Sequence, residues 1–309
     1  MTKPQLCCDV DKDKLAFPVL VSTKIDGVRG LVNEEGRLVA RSGKKFKNKL
    51  NTKFFSHPDL AGFDGELVCG SPNDLDLCSN TTSAMNTVEG QTECNLHVFD
   101  FMIDGVDFKD RLKLLEVKVK LLLFRQPQYE GRVTIVPHAT VGTWEEVVDL
   151  QGCFLGFGYE GSILRKPDGV YKHGRCTAKE ANYMRLKEFG DAEIMVTGVE
   201  EGQTNNNELT RGEHGQAERS THKAGMVGNG QVGSIYGTLL EDFKLSGDKW
   251  LEAGTEIKVG AGKVTHNDRR LYWENPHHIL GKVVKFQHFG GKEKPRFPTF
   301  QCFRMEEDL

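Results

Sequence analysis

The chain has 309 residues, of which 38% are hydrophobic and 28% are charged, and its net charge is −3. This length allows two modest domains, each with a core of its own. The charge balance excludes a uniformly basic nucleic-acid binder, and the lack of an apolar run of about 20 residues excludes a membrane-spanning helix.

The first 189 residues are predicted to alternate short strands with helices. Strands are predicted for six apolar or alternating segments: 17–23, 28–33, 37–41, 63–69, 96–102 and 161–165. Helices are predicted over Phe108–Arg125 and Trp144–Phe154. The first of these carries leucine and valine at helical spacing, with lysines on the opposite face.

Composition changes near Phe189 and Gly190, where a second domain is predicted to begin. Five strands and a short polar helix are predicted there: 193–199, 232–240, 256–260, 282–288 and 299–304, with the helix over 267–273. Five short strands separated by turn signals indicate a small β-barrel. A long polar segment, Gln203–Lys223, separates the first two strands, and insertions of this length are usually functional or disordered.

The run Lys24-Ile25-Asp26-Gly27-Val28-Arg29 is the most informative motif. It places an amine at the end of a buried strand, beside a carboxylate and a guanidinium. Lysine becomes a nucleophile when desolvation or neighbouring cations favour its neutral form. The structural alternative is a strand end, an Asp-Gly turn and a surface salt bridge.

Four further clusters follow in the chain: Asp64-Gly65-Glu66, Phe99-Asp100, Glu160-Gly161 and Arg185-Leu186-Lys187. Each is weak alone, because an acid near a glycine is most often a turn and Phe99 alone is most often core. Arg185 and Lys187, two residues apart, place two cations on one face of a strand. The order and spacing of the clusters after Lys24 favour a shared site.

This set of motifs resembles the covalent nucleotidyltransferases, and among them the minimal viral type of ATP-dependent DNA ligase. The resemblance runs from about residue 15 to the C-terminus and includes several further segments: Arg41–Gly43, Tyr171–Arg175, Arg219–Lys223, Gly233–Ser234, Asp268–Arg270 and Pro295–Pro298. One departure is Arg185, where that family usually has lysine, so the phosphate contact there differs in geometry.

The resemblance implies an α+β fold of two domains. Residues 1–189 would form an adenylyltransferase (nucleotidyltransferase) domain of antiparallel sheets with helices, similar to the ATP-grasp fold. Residues 190–309 would form an OB-fold barrel, with the insertion at about 203–223 as a latch that closes around nicked duplex DNA. A hinge near Phe189 would let the barrel close over ATP and later grip DNA.

The resemblance also implies a set of site residues. Catalysis would involve Lys24, Asp26, Arg29, Glu66, Glu160 and Lys187. The nucleotide would be bound by Ser22, Lys24, Arg29, Arg41, Glu66, Phe99, Glu160, Arg175, Arg185, Lys187 and Arg296. A hydrated Mg²⁺, which Mn²⁺ can replace, would be held by Glu66 and Glu160 with support from Asp26.

Individual roles follow from the same resemblance. Lys24 would attack the α-phosphate of ATP, and Arg185 and Lys187 would contact that phosphate. Phe99 would stack on adenine, and Ser22 would touch its edge. Further arginines have roles around the sugar and phosphates: Arg29 and Arg41 on the sugar or the 5′-phosphate of the nick, Arg175 on a nick phosphate, and Arg296 on the pyrophosphate leaving group.

The expected protein is a monomer inside the cell (the host cell, for a viral or phage protein), not secreted, with eight free cysteine thiols. It would seal 3′-OH/5′-phosphate nicks in duplex DNA through a lysyl-AMP and a DNA-adenylate. The alternatives are an RNA ligase or an mRNA-capping enzyme on the same core, and a DNA-binding module without activity. NAD⁺ as the donor is disfavoured, because only 23 residues precede Lys24 and no CxxC pair is present.

Overall fold

The computed structural model describes residues 3–187, 189–245, 249–289 and 294–304. The chain forms two compact units. One contains Met1–Lys187 with Arg211–Gln216, and the other contains Glu188–Thr210 with Ala217–Leu309. Within the described residues, no helix is both long enough and apolar enough to cross a membrane.

The first unit contains two mixed five-stranded sheets. Its elements, in chain order, are β1 (Gln5–Leu6), β2 (Cys8–Asp9), β3 (Val19–Lys24), β4 (Val28–Val32), β5 (Leu38–Ala40), α1 (Lys49–Phe55), β6 (Phe63–Val68), α2 (Leu77–Asn86), β7 (Asn95–Phe101), α3 (Phe108–Arg125), β8 (Val133–Ile135), β9 (Ala139–Val141), α4 (Trp144–Gly156), β10 (Gly161–Arg165), β11 (Gly174–Arg175) and β12 (Tyr183–Lys187). The sheet orders are β2-β12-β10-β3-β9 and β5-β4-β6-β7-β8, and β1 pairs with β11.

Each sheet is antiparallel except at one edge. In the first sheet β2 runs parallel to β12, and in the second β8 runs parallel to β7. The prediction of antiparallel sheets is therefore wrong at these edges. Chain segments that return from a distance, rather than through a hairpin, supply the parallel edge strands.

Two apolar clusters hold the sheets and helices of this unit together. Leu115, Val119 and Leu122 of α3 pack with Leu67 and Leu96 from the second sheet. Their spacing of three and four residues places them on one helix face, which is why α3 lies on that sheet. A separate cluster joins the first sheet to α4 (Val19, Val21, Leu164, Met184 and Val147).

The second half of the chain forms a closed barrel with the strand order β13-β16-β19-β21-β20. Its elements are β13 (Gly190–Asn205), β14 (Leu209–Arg211), β15 (Ala217–Arg219), β16 (Met226–Leu239), β17 (Phe243–Lys244), β18 (Trp250–Leu251), β19 (Glu256–Gly260), α5 (His266–Glu274), β20 (Val283–Phe289) and β21 (Arg296–Phe303). Ile194, Ile235, Val259 and Phe286 contribute to its buried core. The polar insertion forms a hairpin of β14 and β15.

Strongly periodic segments fold as predicted. The helix over Phe108–Arg125 has those bounds, and all five predicted barrel segments are strands. The helices α1 and α2 are not predicted, because neither carries a long apolar stripe. The expectation of eight free thiols is wrong, since Cys69 and Cys94 form a disulfide that joins the end of β6 to the segment before β7.

Candidate active site

Lys24 is the last residue of β3 and lies in a row of residues across three neighbouring strands. Gly161 of β10 is opposite Lys24 on one side and Lys187 of β12 on the other. The carboxylate of Glu160, just before β10, accepts a hydrogen bond from each lysine, Lys24 on Oε2 and Lys187 on Oε1. We call Lys24, Glu160 and Lys187 the lysine cluster.

Gly161 and Gly27 allow the backbone to approach closely around the lysine cluster. Gly161 has a φ of +148°, and a Cβ there would lie 2.3 Å from the carbonyl oxygen of Leu186. A Cβ on Gly27 would lie 2.3 Å from the carbonyl oxygen of Leu67. These contacts explain physically why glycine follows the acid at both places.

Arg29, on β4, is held by a buried carboxylate. Its Nη2 donates to Oδ2 of Asp64 over 2.6 Å and to the carbonyl oxygen of Gln5 over 3.2 Å. The hydroxyl of Tyr171 donates to the same Asp64 oxygen over 2.9 Å. The guanidinium lies 4.6 Å from the ring centroid of Phe99, within cation–π distance. Arg29 therefore forms part of the cavity wall, with its charge already paired.

Glu66, on β6, has a strongly shifted pKa. Burial raises the pKa of its carboxyl to about 7, while the charges of Arg29 and Lys24 oppose that shift. The charge of Asp26 acts in the same direction as burial, which places Asp26 within electrostatic reach of Glu66. Acidic groups with raised pKa values are concentrated at functional sites.

A cavity of about 180 Å³ lies in the first unit and gathers most of the predicted nucleotide-binding residues. Those that line it are Ser22, Lys24, Arg29, Arg41, Glu66, Phe99, Arg175 and Arg185. Most of them come from strands of the two five-stranded sheets, whereas Arg41 follows β5 and Arg175 lies on β11. A cavity with an aromatic wall and several cations suits a nucleotide.

Two further cavity arginines, like Arg29, already have partners within the chain. Nε of Arg185 donates to Oδ1 of Asp9 over 2.6 Å, and Nη1 of Arg175 donates to the carbonyl oxygen of Cys7 over 2.7 Å. The amino-terminal segment that contains β1 and β2 thus orients two of the predicted phosphate contacts. Arg296 is the first residue of β21 and belongs to the barrel unit.

The predicted metal ligands are not gathered into one cluster. Across the part of the chain that the structure describes, no three His, Cys, Asp or Glu side chains lie close enough together to hold a metal ion. Glu160 contacts two lysines instead. Mg²⁺ commonly takes only one or two carboxylates and completes its shell with water and phosphate oxygens. Glu66, within electrostatic reach of Lys24, and Glu160, which accepts from Lys24, are carboxylates that could serve in such a donor set.

Several residues of the site have no role in the sequence prediction. Gln5 and Asp64 join the amino-terminal strand to Arg29, and His138 and Arg165 line the same cavity. Asp64 belongs to the Asp64-Gly65-Glu66 motif and Arg165 ends the predicted strand 161–165, and a charge in an otherwise buried strand is the signal that marks both. Gln5 and His138 lie in no pattern that the sequence reveals.

Comparison with known proteins gives a consistent result. A family model described as the ATP dependent DNA ligase domain matches residues 6–187. A DNA ligase of African swine fever virus (isolate Warthog/Namibia/Wart80/1980) is 26% identical over 196 residues, which are 59% of this chain and 45% of that protein. The chain thus spans less than half the length of this curated relative.

Solved structures extend the similarity beyond the matched domain. A crystal structure of Chlorella virus DNA ligase-adenylate is 26% identical, with a TM-score of 0.52, and covers 98% of this chain and 100% of its own. A structure from work on Lig E DNA ligases has a TM-score of 0.69 over 98% of this chain and 100% of its own, at 20% identity. The second similarity concerns the fold alone.

Proposed function

Since the chain belongs to the family of ATP-dependent DNA ligase domains, we propose that it is an ATP-dependent DNA ligase that seals nicks in duplex DNA. The observation that carries the proposal is the position of Lys24. Lys24 lines a cavity that also holds several arginines and Phe99, and its amine donates to a carboxylate that a second lysine also contacts. The side chains of Lys24 and Glu160 are only 19% and 13% exposed, so their ion pair is not a surface salt bridge.

In the first reaction, the neutral amine of Lys24 attacks the α-phosphorus of ATP. A P–N bond forms, the P–O bond to pyrophosphate breaks, and the amine proton passes to solvent. Negative charge spreads over the phosphate oxygens in the transition state, so nearby cations stabilise it. Lys187, Arg185, Arg29 and Arg41 supply those cations around the cavity.

The base and the metal take separate parts of the site. Phe99 would stack on adenine and Ser22 would touch its edge, and the position of both residues on the cavity wall supports these roles. Glu66 and Glu160, with Asp26 in support, would hold Mg²⁺. When bound, this ion would neutralise phosphate charge. Occupation of Glu160 by the ion would release the two lysines that it now contacts.

The barrel unit is proposed to be an OB-fold that binds nicked DNA. Its strands, numbered within the barrel, have the order 1-2-3-5-4, consistent with a five-stranded Greek-key barrel of that fold. The hairpin of β14 and β15 would close around the duplex, and Arg296 would orient pyrophosphate. In the later reactions AMP moves to the 5′-phosphate, and the 3′-hydroxyl then displaces AMP. The active form is proposed to be a monomer.

The test is transfer of labelled AMP from ATP with Mg²⁺, followed by sealing of a nicked duplex. The wild-type protein should gain the mass of one AMP at Lys24 and lose it when pyrophosphate is added. Lys24→Ala should do neither, whereas Lys120→Ala, on the exposed face of α3, should behave as wild type. Nick sealing by Lys24→Ala would refute the proposal. Replacement of the DNA nick by an RNA nick, or of ATP by GTP, tests the RNA ligase and capping alternatives.

A further inference from the structure

The helix α3 has a second apolar row, on the side that faces away from its sheet. Val117, Leu121 and Phe124 are 53%, 44% and 85% exposed, and Leu114, one turn earlier, is partly exposed. The face predicted to carry lysines therefore also carries large apolar side chains. Single exposed apolar residues are common on protein surfaces, but four in one row are the pattern of a binding surface.

The spacing of this row is that of a coiled-coil seam. Leu114, Val117, Leu121 and Phe124 follow one another at intervals of three, four and three residues. This is the a-d-a-d order of two heptads, in which the apolar residues form a narrow row that packs against a second helix. At 1.5 Å per residue the row is about 15 Å long, which accommodates about three turns of a partner helix.

Cations border the apolar row on both sides. In the same heptads, Lys113 and Lys120 occupy g positions, and Lys118 and Arg125 occupy e positions. All four side chains are exposed. Residues at the e and g positions of a coiled coil contact the partner helix and determine which partner is accepted. We call the four apolar and the four basic residues together the α3 seam.

Contacts within the chain do not commit these cations. Among the described residues, two of the four have ion pairs: Nζ of Lys113 lies 3.1 Å from Oδ1 of Asp110, and Nη1 of Arg125 lies 3.8 Å from Oδ1 of Asp59. Both pairs are exposed, and exposed pairs contribute little to stability. They can therefore be exchanged for the carboxylates of a partner.

The charge pattern disfavours a second copy of α3 as that partner. In a parallel pair of helices e positions meet g positions, and in an antiparallel pair e meets e and g meets g. Each of these contacts would join two cations, and like charges in contact weaken an interface. A lipid surface also fits poorly, because helices that lie on membranes carry their cations on the face opposite the apolar one. Here the cations border the apolar row itself.

We propose that the α3 seam docks an acidic amphipathic helix of a partner protein, which carries apolar residues at its a and d positions and Asp or Glu at its e and g positions. Apolar packing on the row supplies the affinity, and the partner's carboxylates pair with the bordering cations. A contact of about three turns is short, so the complex is transient. No residue of the seam lines the nucleotide cavity, and this recruitment goes beyond the proposed function.

The first test measures binding of a designed peptide of three heptads, with leucine at a and d and glutamate at e and g, by fluorescence anisotropy. The full-length protein should bind this glutamate peptide about tenfold or more tightly than the same peptide with lysine at e and g. Binding of the glutamate peptide should weaken as the salt concentration rises. No binding of the glutamate peptide, or equal binding of the two, would overturn the proposal.

A second test removes the apolar part of the contact. The double variant Leu121→Gln, Phe124→Gln replaces exposed side chains, so it should fold as wild type and bind the glutamate peptide about tenfold or more weakly. Val148→Gln, at an exposed apolar position of α4, is the matched control and should bind as wild type. Equal affinity in the double variant and the control would place the peptide elsewhere and refute the assignment to α3.

A third test reverses the charge of one edge. The double variant Lys113→Glu, Lys120→Glu should bind the glutamate peptide more weakly than wild type and the lysine peptide more tightly. Lys109→Glu, exposed on the same helix but outside the e and g positions, should keep the wild-type preference. Loss of preference in Lys109→Glu to the same extent would show that only the overall charge matters, which contradicts docking on the seam.

The same variants distinguish other occupants and the proposed function. Self-association, or binding to phosphatidylglycerol vesicles, that disappears in Leu121→Gln, Phe124→Gln would overturn the proposal in favour of a second copy or a lipid surface. Formation of lysyl-AMP should be unchanged in all the seam variants. Absence of AMP transfer in the wild type would refute the ligase proposal and leave peptide binding by the seam unaffected.

Discussion

The lysine cluster and the pair Arg165 and His138 differ in how their polar groups are satisfied. At the lysine cluster every charge has a partner within the chain, since Glu160 bridges Lys24 and Lys187. Among the described residues, Nε and Nη2 of Arg165 and both ring nitrogens of His138 are buried without a hydrogen-bond partner. A nucleotide that binds at the lysine cluster must therefore exchange existing ion pairs, whereas the unpaired nitrogens lower the stability of the folded chain itself.

This difference separates two effects on the protein. Contacts at the lysine cluster replace existing ion pairs, so they add little affinity but position the nucleophile. The unpaired nitrogens of Arg165 and His138 are fully buried, so they act on the stability of the folded chain.

The largest effect is expected where a paired buried charge loses its partner. Asp64→Ala removes the carboxylate that holds Arg29 and Tyr171. The uncompensated guanidinium should lower the free energy of unfolding by about 3–5 kcal/mol. Urea unfolding followed by circular dichroism measures this change. Asp149→Ala, at an exposed position of α4, is the control. A similarly small loss of stability for both variants would show that Asp64 does not stabilise the buried Arg29 guanidinium.

Removal of the bridge in the lysine cluster should act on rate more than on stability. Glu160→Ala separates Lys24 from Lys187 and removes a proposed metal ligand, so lysyl-AMP formation should fall by about 10²–10³-fold. Single-turnover transfer from labelled ATP measures this loss. Glu116→Ala, exposed on α3, serves as the matched control. A rate close to wild type would show that Glu160 only neutralises the lysines.

The sequence predicts those parts of the fold that local periodicity determines. The helix α3 and the barrel strands follow from apolar spacing, and the motif order brings Lys24, Glu160 and Lys187 together as expected. The sequence does not predict which groups the Glu160 carboxylate contacts, because that depends on which charges lie nearest to it in space. Glu160 is expected on a metal and is found between two lysines.

The surroundings of Arg165 and His138 escape sequence prediction for a different reason. Gln5 and Arg165 are 160 residues apart and meet only because β1, through its pairing with β11, brings Gln5 beside the end of β10. His138 lies in a short connection that carries no motif. Long-range contacts of this kind depend on the register of whole sheets, which no local pattern specifies.

Because of Glu66, the free energy of unfolding and the rate of AMP transfer should change with pH in opposite directions. Its pKa rises from 4.5 to about 7 on folding, so the folded state favours the protonated form and loses stability as the pH rises through 7. Glu66→Gln mimics that form and should gain stability over wild type between pH 4.5 and 7, by at most about 1.4 kcal/mol per pH unit. Urea unfolding at pH 5, 6, 7 and 8 measures the gain.

Catalysis should show the reverse dependence on Glu66. The ionised carboxylate is the form that binds a metal ion, so wild-type transfer should fall about tenfold per pH unit below 7. Glu66→Gln should be slow at every pH and lose this dependence. A stability gain that is equal at pH 5 and pH 8 would show that burial does not perturb this carboxyl.

The smallest expected effect concerns the stability of the folded chain around His138. His138→Phe replaces two unsatisfied nitrogens by carbon in a ring of similar shape, whose centroid already lies 5.3 Å from that of Phe108. Replacement of an unpaired polar group by an apolar one is nearly neutral or stabilising, so the free energy of unfolding should change by less than about 1 kcal/mol, in the stabilising direction. Urea unfolding measures this change, with His277→Phe at an exposed position as the control. A clear loss of stability in His138→Phe would show that the imidazole itself stabilises the core, and would remove the contrast with the lysine cluster.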